Sequence, residues 1–202
     1  MYIVSFDIGV KNLAYCYTDN HEILEWSIID ISGKDITEIS QTCMKKLHDI
    51  FNEKQIDKVL IENQPVQKNP KMKSIQIMVY SFFVNQKIND KKQIDKILLV
   101  SATNKNKYTL NYDIEVPKCS TKYLETKKRS IACTKLIIEK NENWALYFNS
   151  HKKKDDLADC LLQCYHFINY CPVLPNPPPD LSVSSSESTS TTSQQEIYLS
   201  SS

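Results

Sequence analysis

Short apolar runs and longer amphipathic stretches alternate along most of this chain of 202 residues. The apolar runs are too short for helices and are bounded by polar or turn residues, which predicts buried strands. They lie at residues 2–8, 13–18, 23–31, 58–62 and 94–100. Apolar residues at helical spacing predict helices over residues 36–51, 72–88, 120–139 and 155–168.

This order of elements predicts an α/β fold with a mixed five-stranded sheet and helices on both of its faces. The first three strands are separated by short polar turns, which favours an antiparallel meander. The later strands alternate with helices, and connections of that length favour parallel pairing. Residues 102–118 are rich in Asn, Lys and Tyr and are predicted to be a long loop, followed by Ser120 as a helix N-cap.

Two carboxylates lie at the ends of predicted strands. Asp7 ends the first apolar run and Glu62 ends the fourth, and these two strands are expected to be neighbours in the sheet. A carboxylate at the end of a buried strand is costly unless a positive group lies against it. Because two such acids would lie side by side, the pattern predicts a site for a divalent metal ion.

A third acidic group opens the last predicted helix. Asp155, Asp156 and Asp159 are close enough in sequence for Asp159 to share a helical face with each of the other two. The helix dipole explains one or two acids in a first turn, but three repel one another unless a cation relieves the crowding. Taken with the two strand-end acids, this helix predicts a metal-dependent nuclease.

The motif Asp7-Ile8-Gly9 also suits the first phosphate loop of actin-type ATPases and sugar kinases. That fold requires further glycine-rich loops, and Gly33 is the only other glycine in the chain. The same scarcity of glycine excludes P-loop and dinucleotide-binding fingerprints. We therefore expect no nucleotide cofactor.

The composition changes abruptly at Pro172. Residues 172–202 are rich in Pro, Ser and Thr, cannot bury enough apolar surface to offset the entropy of ordering, and are predicted to be a disordered tail. The tail contains three acids and no Lys or Arg, so residues 1–171, the single predicted domain, carry 25 basic and 21 acidic side chains. The net charge of that domain is +4.

Basic residues flank the acidic motifs and are candidates for binding nucleic-acid phosphates without sequence preference. They are Lys11, Lys68, Lys71, Lys73, Lys127, Lys128, Arg129, Lys152, Lys153 and Lys154.

Seven cysteines and four histidines are scattered without zinc-ligand spacing, which predicts buried, reduced thiols in an intracellular protein. The chain starts directly in a predicted strand and contains no long apolar span. We therefore expect a soluble protein with no secretory or mitochondrial targeting segment and no membrane contact.

Four segments together resemble one protein family: 6–14 (FDIGVKNLA), 61–65 (IENQP), 127–130 (KKRS) and 154–159 (KDDLAD). They resemble the Holliday junction resolvases of poxviruses and other large DNA viruses, which are related to fungal mitochondrial cruciform-cutting resolvases and bacterial RuvC. The resemblance covers about residues 1–170. It implies an RNase H-like fold of the retroviral integrase superfamily and a homodimer that nicks four-way DNA junctions symmetrically, in viral genome processing, recombination or repair.

The resemblance also implies roles for individual residues and two Mg²⁺ ions per active site, with Mn²⁺ able to substitute. Asp7 would bridge both metal ions and Glu62 would bind one of them. The acid pair of the last helix falls on Asp156 and Asp159, with Asp155 as a neighbour that could replace Asp156. An active-site lysine falls on either Lys127 or Lys128. For a viral protein, the host cytoplasm or nucleus is the expected compartment.

Two other functions fit the same predicted sheet and acids. One is an RNase H-type or RNA-processing nuclease, which the segments 6–12 and 127–130 disfavour. The other is a non-catalytic module that binds junctions, which the presence of all the expected acids disfavours.

The predicted helix over residues 72–88 is a candidate dimer interface, because its apolar positions extend too widely around the helix for a single core-facing stripe. Those positions are Ile75, Ile77, Met78, Val79, Phe82, Phe83 and Val84. The alternative is that this helix is deeply buried within the monomer.

Overall fold

The computed structural model describes residues 1–67, 69–89 and 93–171, and all of the following helices and strands belong to that part of the chain. The strands are β1 (Tyr2–Asp7), β2 (Leu13–Asp19), β3 (Glu22–Ile29), β4 (Lys58–Glu62) and β5 (Lys96–Val100). The helices are α1 (Ile36–Phe51), α2 (Pro70–Ile88), α3 (Thr103–Thr109), α4 (Lys122–Ile138), α5 (Glu142–Ser150) and α6 (Lys154–Tyr170).

The strands form one sheet in the order β3-β2-β1-β4-β5. Strands β1, β2 and β3 pair antiparallel, as expected for a meander, whereas β4 is parallel to both β1 and β5. The register pairs Phe6 of β1 with Ile61 of β4, so that Asp7 and Glu62 follow at the same edge of the sheet. The predicted adjacency of these two acids is therefore confirmed.

Successive side chains of a strand point to opposite faces of the sheet, and each face packs against its own hydrophobic core. Val4 and Phe6 of β1 face a core shared with α1 and α2, whereas Ile3 faces a core shared with α6 and its neighbouring helices. Asp7 is in phase with Ile3, and Glu62 is in phase with Leu60, which also belongs to the second core. The predicted mixed sheet with helices on both faces is confirmed, and strand alternation directs both acids toward the side of α6.

Gly9 lies in the tight connection between β1 and β2. A Cβ atom at this position would lie 2.5 Å from the backbone oxygen of Asn12, so a larger residue would force the turn to open. The same connection is joined to the segment that follows β3 by a hydrogen bond from the Ile31 amide to the Val10 carbonyl, at 2.9 Å. Gly9 thus shapes the turn that directly follows Asp7.

Helix α6 is fixed to the sheet by buried polar contacts. The Gln163 amide donates hydrogen bonds to the Ser5 hydroxyl at 2.9 Å and to the Phe6 carbonyl at 3.2 Å. The Trp26 indole donates to the Leu157 carbonyl at 3.0 Å. These bonds set the position of the helix's first turns, which carry the acidic residues, against the end of β1.

Three sequence predictions differ from the structure. The segment 102–118, predicted as a loop, contains helix α3, and the segment after α4 contains the unpredicted helix α5. Helix α4 begins at Lys122, and its N-cap is Thr121, whose hydroxyl accepts from the Leu124 amide at 3.2 Å; the predicted cap, Ser120, was wrong by one residue. The predicted tail, 172–202, lies outside the described residues.

Five of the seven cysteines are buried, as the sequence predicts: Cys16, Cys43, Cys133, Cys160 and Cys164.

Within the described part of the chain, no helix combines the length and the apolar character needed to cross a membrane.

Candidate active site

Carboxylates from two strands and one helix converge on a single lysine. Lys105 Nζ lies 2.8 Å from Glu62 Oε2, 2.5 Å from Asp159 Oδ2 and 3.8 Å from Asp7 Oδ1. All four side chains are largely buried, and that of Lys105 is only 10% exposed. The structure therefore brings together three of the sequence-predicted acids and adds a cation that the sequence did not reveal.

Helix α3 supplies this lysine because it directly follows β5, whose parallel partner β4 ends at Glu62. Lys105, Tyr108 and Thr109 form its buried face, and the helix packs against α6. This spacing of i, i+3 and i+4 is helical and was the available signal in the sequence. A search for apolar residues at helical spacing does not find this helix, because one of its three buried residues is charged and another carries a hydroxyl group.

The charges of the cluster shift one another's titration. Burial raises the pKa of Asp7 well above its usual range, and the Glu62 and Asp159 charges add to the shift while Lys105 opposes it. Burial also raises the pKa of Asp159. For Glu62 burial acts in the same sense, but the Lys105 ammonium and a hydrogen bond from Asp7 outweigh it and lower the pKa. The single ammonium group of Lys105 therefore does not balance the charge of three ionised carboxylates.

The three buried acids have the opposite effect on the lysine. Burial alone would lower the pKa of Lys105, but Asp7, Asp159 and Glu62 raise it, so the side chain is an ammonium ion at neutral pH.

The two acids in the first turn of α6, Asp155 and Asp156, have different surroundings and opposite pKa shifts. Asp155 accepts a hydrogen bond from Lys127 of α4, and this bond outweighs the effect of burial and lowers the pKa of Asp155. For Asp156, burial together with the Asp155 charge outweighs the opposing charges of Lys153 and Lys127 and raises the pKa to about 6. Asp156, rather than Asp155, lines the open space above the cluster.

A cleft of about 350 Å³ opens over the acid cluster. Its walls come from the ends of β1 and β4, from α3, from the first half of α4 and from the start of α6. The residues that line it include Asp7, Glu62, Lys105, Tyr123, Lys127, Asp156 and Asp159. Four carboxylates and two ammonium groups therefore face one open space, which suits a phosphate ester accompanied by cations.

The donor chemistry of the cleft fits hard divalent metal ions. Carboxylate oxygens are the ligands that Mg²⁺ prefers. The cleft has four carboxylates but only two lysines, Lys105 and Lys127, so further cations would balance its charge. Lys105 already stands where a cation is required, between Asp7, Glu62 and Asp159. In the residues that the structure describes, however, no three His, Cys, Asp or Glu side chains are grouped so that they could hold a metal ion as they stand.

The two candidate lysines of α4 occupy different environments. Lys127 lines the cleft and bonds to Asp155, whereas Lys128 is exposed. The structure thus brings Lys127 to the acids. Its catalytic role stays a prediction, as does that of Lys128.

The other predicted DNA contacts fall into two groups. Four are exposed on the surface: Lys11, Lys71, Lys152 and Lys153. Three are engaged within the protein: Lys73 donates to Asn63 Oδ1 at 3.1 Å, Arg129 to the Ile114 carbonyl at 3.1 Å, and Lys154 to the His151 carbonyl at 2.6 Å. Lys68 lies outside the described residues.

Residues 1–169, which include every residue of the cleft, match the family model of the poxvirus A22 protein. The chain belongs to the poxvirus A22 protein family. A viral relative of this A22 family member is the uncharacterized protein L451 of Acanthamoeba polyphaga mimivirus, 37% identical over 122 residues. That match covers 57% of this chain and only 29% of the relative.

Three solved structures share the fold of this A22 family member. The yeast mitochondrial Holliday junction resolvase Ydc2 matches 84% of each chain with a TM-score of 0.55 and 22% identity. The Fowlpox virus resolvase in complex with substrate Holliday junction DNA matches 84% of this chain and 97% of its own, with a TM-score of 0.57 and 19% identity. Thermus thermophilus RuvC matches 85% and 95%, with a TM-score of 0.58 and 10% identity. The predicted RNase H-like fold is confirmed.

Proposed function

We propose that this chain is a metal-dependent endonuclease that nicks four-way DNA junctions symmetrically. The observation that carries the proposal is the convergence of Asp7, Glu62 and Asp159, from β1, β4 and α6, on Lys105 in an open cleft. Membership of the A22 family and a fold shared with Holliday junction resolvases support the choice of branched DNA as substrate. For a viral enzyme, the place of action would be the host cytoplasm or nucleus.

Asp7, Glu62, Asp156 and Asp159 are the residues that would hold the metal, two Mg²⁺ ions in our proposal, with Mn²⁺ as a substitute. When bound, such ions supply an activated water and neutralise charge on the leaving 3′ oxygen. Asp156 is preferred to Asp155 because Asp156 lines the cleft, whereas Asp155 is paired with Lys127.

The protein's own side chains would orient the phosphate. Lys105 is an ammonium ion at the floor of the cleft and can donate hydrogen bonds to a phosphate oxygen where negative charge develops. Lys127, fixed by Asp155 on the cleft wall, can bind a neighbouring phosphate. The exposed lysines would add affinity that depends on salt concentration.

Symmetric nicking requires two active sites, and a two-fold homodimer is the simplest arrangement that supplies them. Phe82 of α2, one of the apolar positions first considered for the interface, is only 8% exposed and lies in the core of the single chain, together with Ile75, Val79 and Phe83. The outer face of the same helix still carries apolar residues, because Ile77 is 46% and Ile88 is 67% exposed. We place the dimer contact on this outer face.

Cleavage of matched substrates tests the proposal. The purified protein is given equal amounts of a labelled four-way junction with a fixed core and of an RNA–DNA hybrid, in Mg²⁺, and the nicks are mapped on all four junction strands. We expect paired nicks on opposing strands of the junction. Preferential cutting of the hybrid would indicate an RNase H-type enzyme, scattered nicks a general nuclease, and binding without cutting a non-catalytic module.

A further inference from the structure

Tyr123 places an exposed aromatic ring on the wall of the acidic cleft. It lies in the first turn of α4, lines the same space as Asp7 and Glu62, and is 66% exposed. Among the large hydrophobic side chains that are exposed in the described part of the chain, Tyr123 is the one that lines this cleft. Its ring therefore contributes little to the core and stands beside the proposed site of phosphate cleavage.

The ring is held in place from one side. Lys127, one helical turn further along α4, has its Nζ 4.9 Å from the centre of the Tyr123 ring, a cation–π contact. The same ammonium is paired with Asp155 of α6, so the contact is anchored to a second helix. Since the residue is two-thirds exposed despite this contact, much of its surface is available to a ligand.

A flat apolar surface beside a phosphate site suits a nucleobase. Aromatic side chains stack on bases regardless of sequence, because every base has a π face. In regular duplex DNA the neighbouring base pairs already cover both faces of each base, whereas bases at a branch point can expose one. Stacking on Tyr123 would therefore favour a branched or opened site over regular duplex.

We infer that Tyr123 is a specificity residue on which a base next to the cut site stacks, so that the cleft prefers branch points. This inference rests on the proposed junction-cutting function and adds to it the group that would distinguish a branch from a regular duplex.

Binding measurements with matched variants test the inference. The affinities for an immobile four-way junction and for a linear duplex of the same arm sequence are compared without divalent metal, for the parental protein, Tyr123→Ala and Tyr123→Phe. We expect Tyr123→Ala to weaken junction binding about tenfold and to change duplex binding less than about twofold, because the loss is that of one stacked base. Tyr123→Phe keeps the ring and should restore parental affinity.

Tyr170→Ala is the matched control, because Tyr170 is also exposed, at 50%, but ends α6 at the helix terminus opposite to its acidic first turn. It should leave both affinities unchanged. The inference is wrong if Tyr123→Ala keeps the junction preference, or if Tyr123→Phe loses as much affinity as Tyr123→Ala. A parental protein with no preference for junctions would instead refute the proposed function.

Photo-crosslinking locates the contact directly. 5-Iododeoxyuridine is placed either beside the branch point or in the middle of an arm, and the crosslinked residue is identified by mass spectrometry. Stacking predicts an adduct on Tyr123 from the branch position and none from the arm. Adducts on other residues alone, from the branch position, would overturn the inference even if the affinities changed.

Discussion

Lys105 holds together three carboxylates that would otherwise repel one another. It does so by contacts to Glu62 and Asp159 at 2.8 and 2.5 Å, with Asp7 at 3.8 Å, and burial of the side chains strengthens the attraction between the charges. Removing one partner from such a buried cluster is costly, since uncompensated charge is left behind. The lysine is therefore a structural cation as well as a candidate phosphate ligand.

Replacing this lysine should destabilise the metal-free protein in a pH-dependent way. We expect Lys105→Met to lower the free energy of unfolding by about 3 kcal/mol or more at neutral pH. Burial already raises the pKa of Asp7 and Asp159 above their unfolded values, so their protonation stabilises the folded state at low pH and this contribution is lost as the pH rises through the folded pKa. Without Lys105 these shifts grow, and the loss of stability should be larger at pH 8 than at pH 5.

Thermal unfolding in EDTA at the two pH values measures this effect. Lys107→Met, on the exposed side of the same helix, is the control and should behave like the parental protein at both. An equal loss of stability for Lys105→Met at pH 5 and pH 8 would show that the lysine does not neutralise the acids.

At the scale of elements, the periodic spacing of apolar residues predicts the strands and the long helices. It does not predict the short helices. Helix α5 has only nine residues, so its helically spaced apolar residues Trp144, Tyr147 and Phe148 extend over little more than one turn and form too short a pattern to predict a helix. Helix α3 has seven residues, and its buried face includes the charged Lys105. A buried lysine is explained only by acids 43 and 54 positions away in sequence, which local patterns do not reveal.

The sequence predicts those site residues that are acids at the end of a strand or at the start of a helix. Asp7 and Glu62 meet because β1 and β4 are adjacent and parallel, which the order of elements already implies. Our proposal of Asp156 rather than Asp155 as a metal ligand rests partly on the contact of Asp155 with Lys127, a side chain of another helix. Sequence patterns placed the acidic motif but could not assign the partner of each acid.

At the scale of the whole molecule, the proposed symmetric nicking depends most on whether two chains assemble into a dimer. One face of α2 packs into the core of the chain, and the opposite face exposes Ile77 and Ile88. An apolar surface on the outside of a long helix is typical of a contact with a second chain. A dimer formed there would present two clefts to one junction.

Charges on this outer face should separate the proposed dimer. We expect the double variant Ile77→Glu and Ile88→Glu to sediment as a monomer and to leave single, unpaired nicks, because burying two carboxylates in an apolar contact is costly. Leu146→Glu, at a residue of α5 that is 72% exposed, is the control and should remain a dimer. If the α2 variant stays dimeric and cuts in pairs, the contact lies elsewhere.

The measurement that tests the proposed active site most directly is junction cleavage by Asp7→Asn in Mg²⁺, beside junction binding in EDTA. Asp7 is the acid at the end of β1, close enough to Glu62 and Asp159 for their charges to raise its pKa, and the substitution keeps its shape while removing the ionisable carboxyl group. We predict that cleavage falls by at least about a hundredfold while binding is unchanged or tighter, since less negative charge then faces the phosphates. Asp49→Asn, exposed on α1, should cut normally. Cleavage by Asp7→Asn at the parental rate would contradict the assignment of this cluster as the active site.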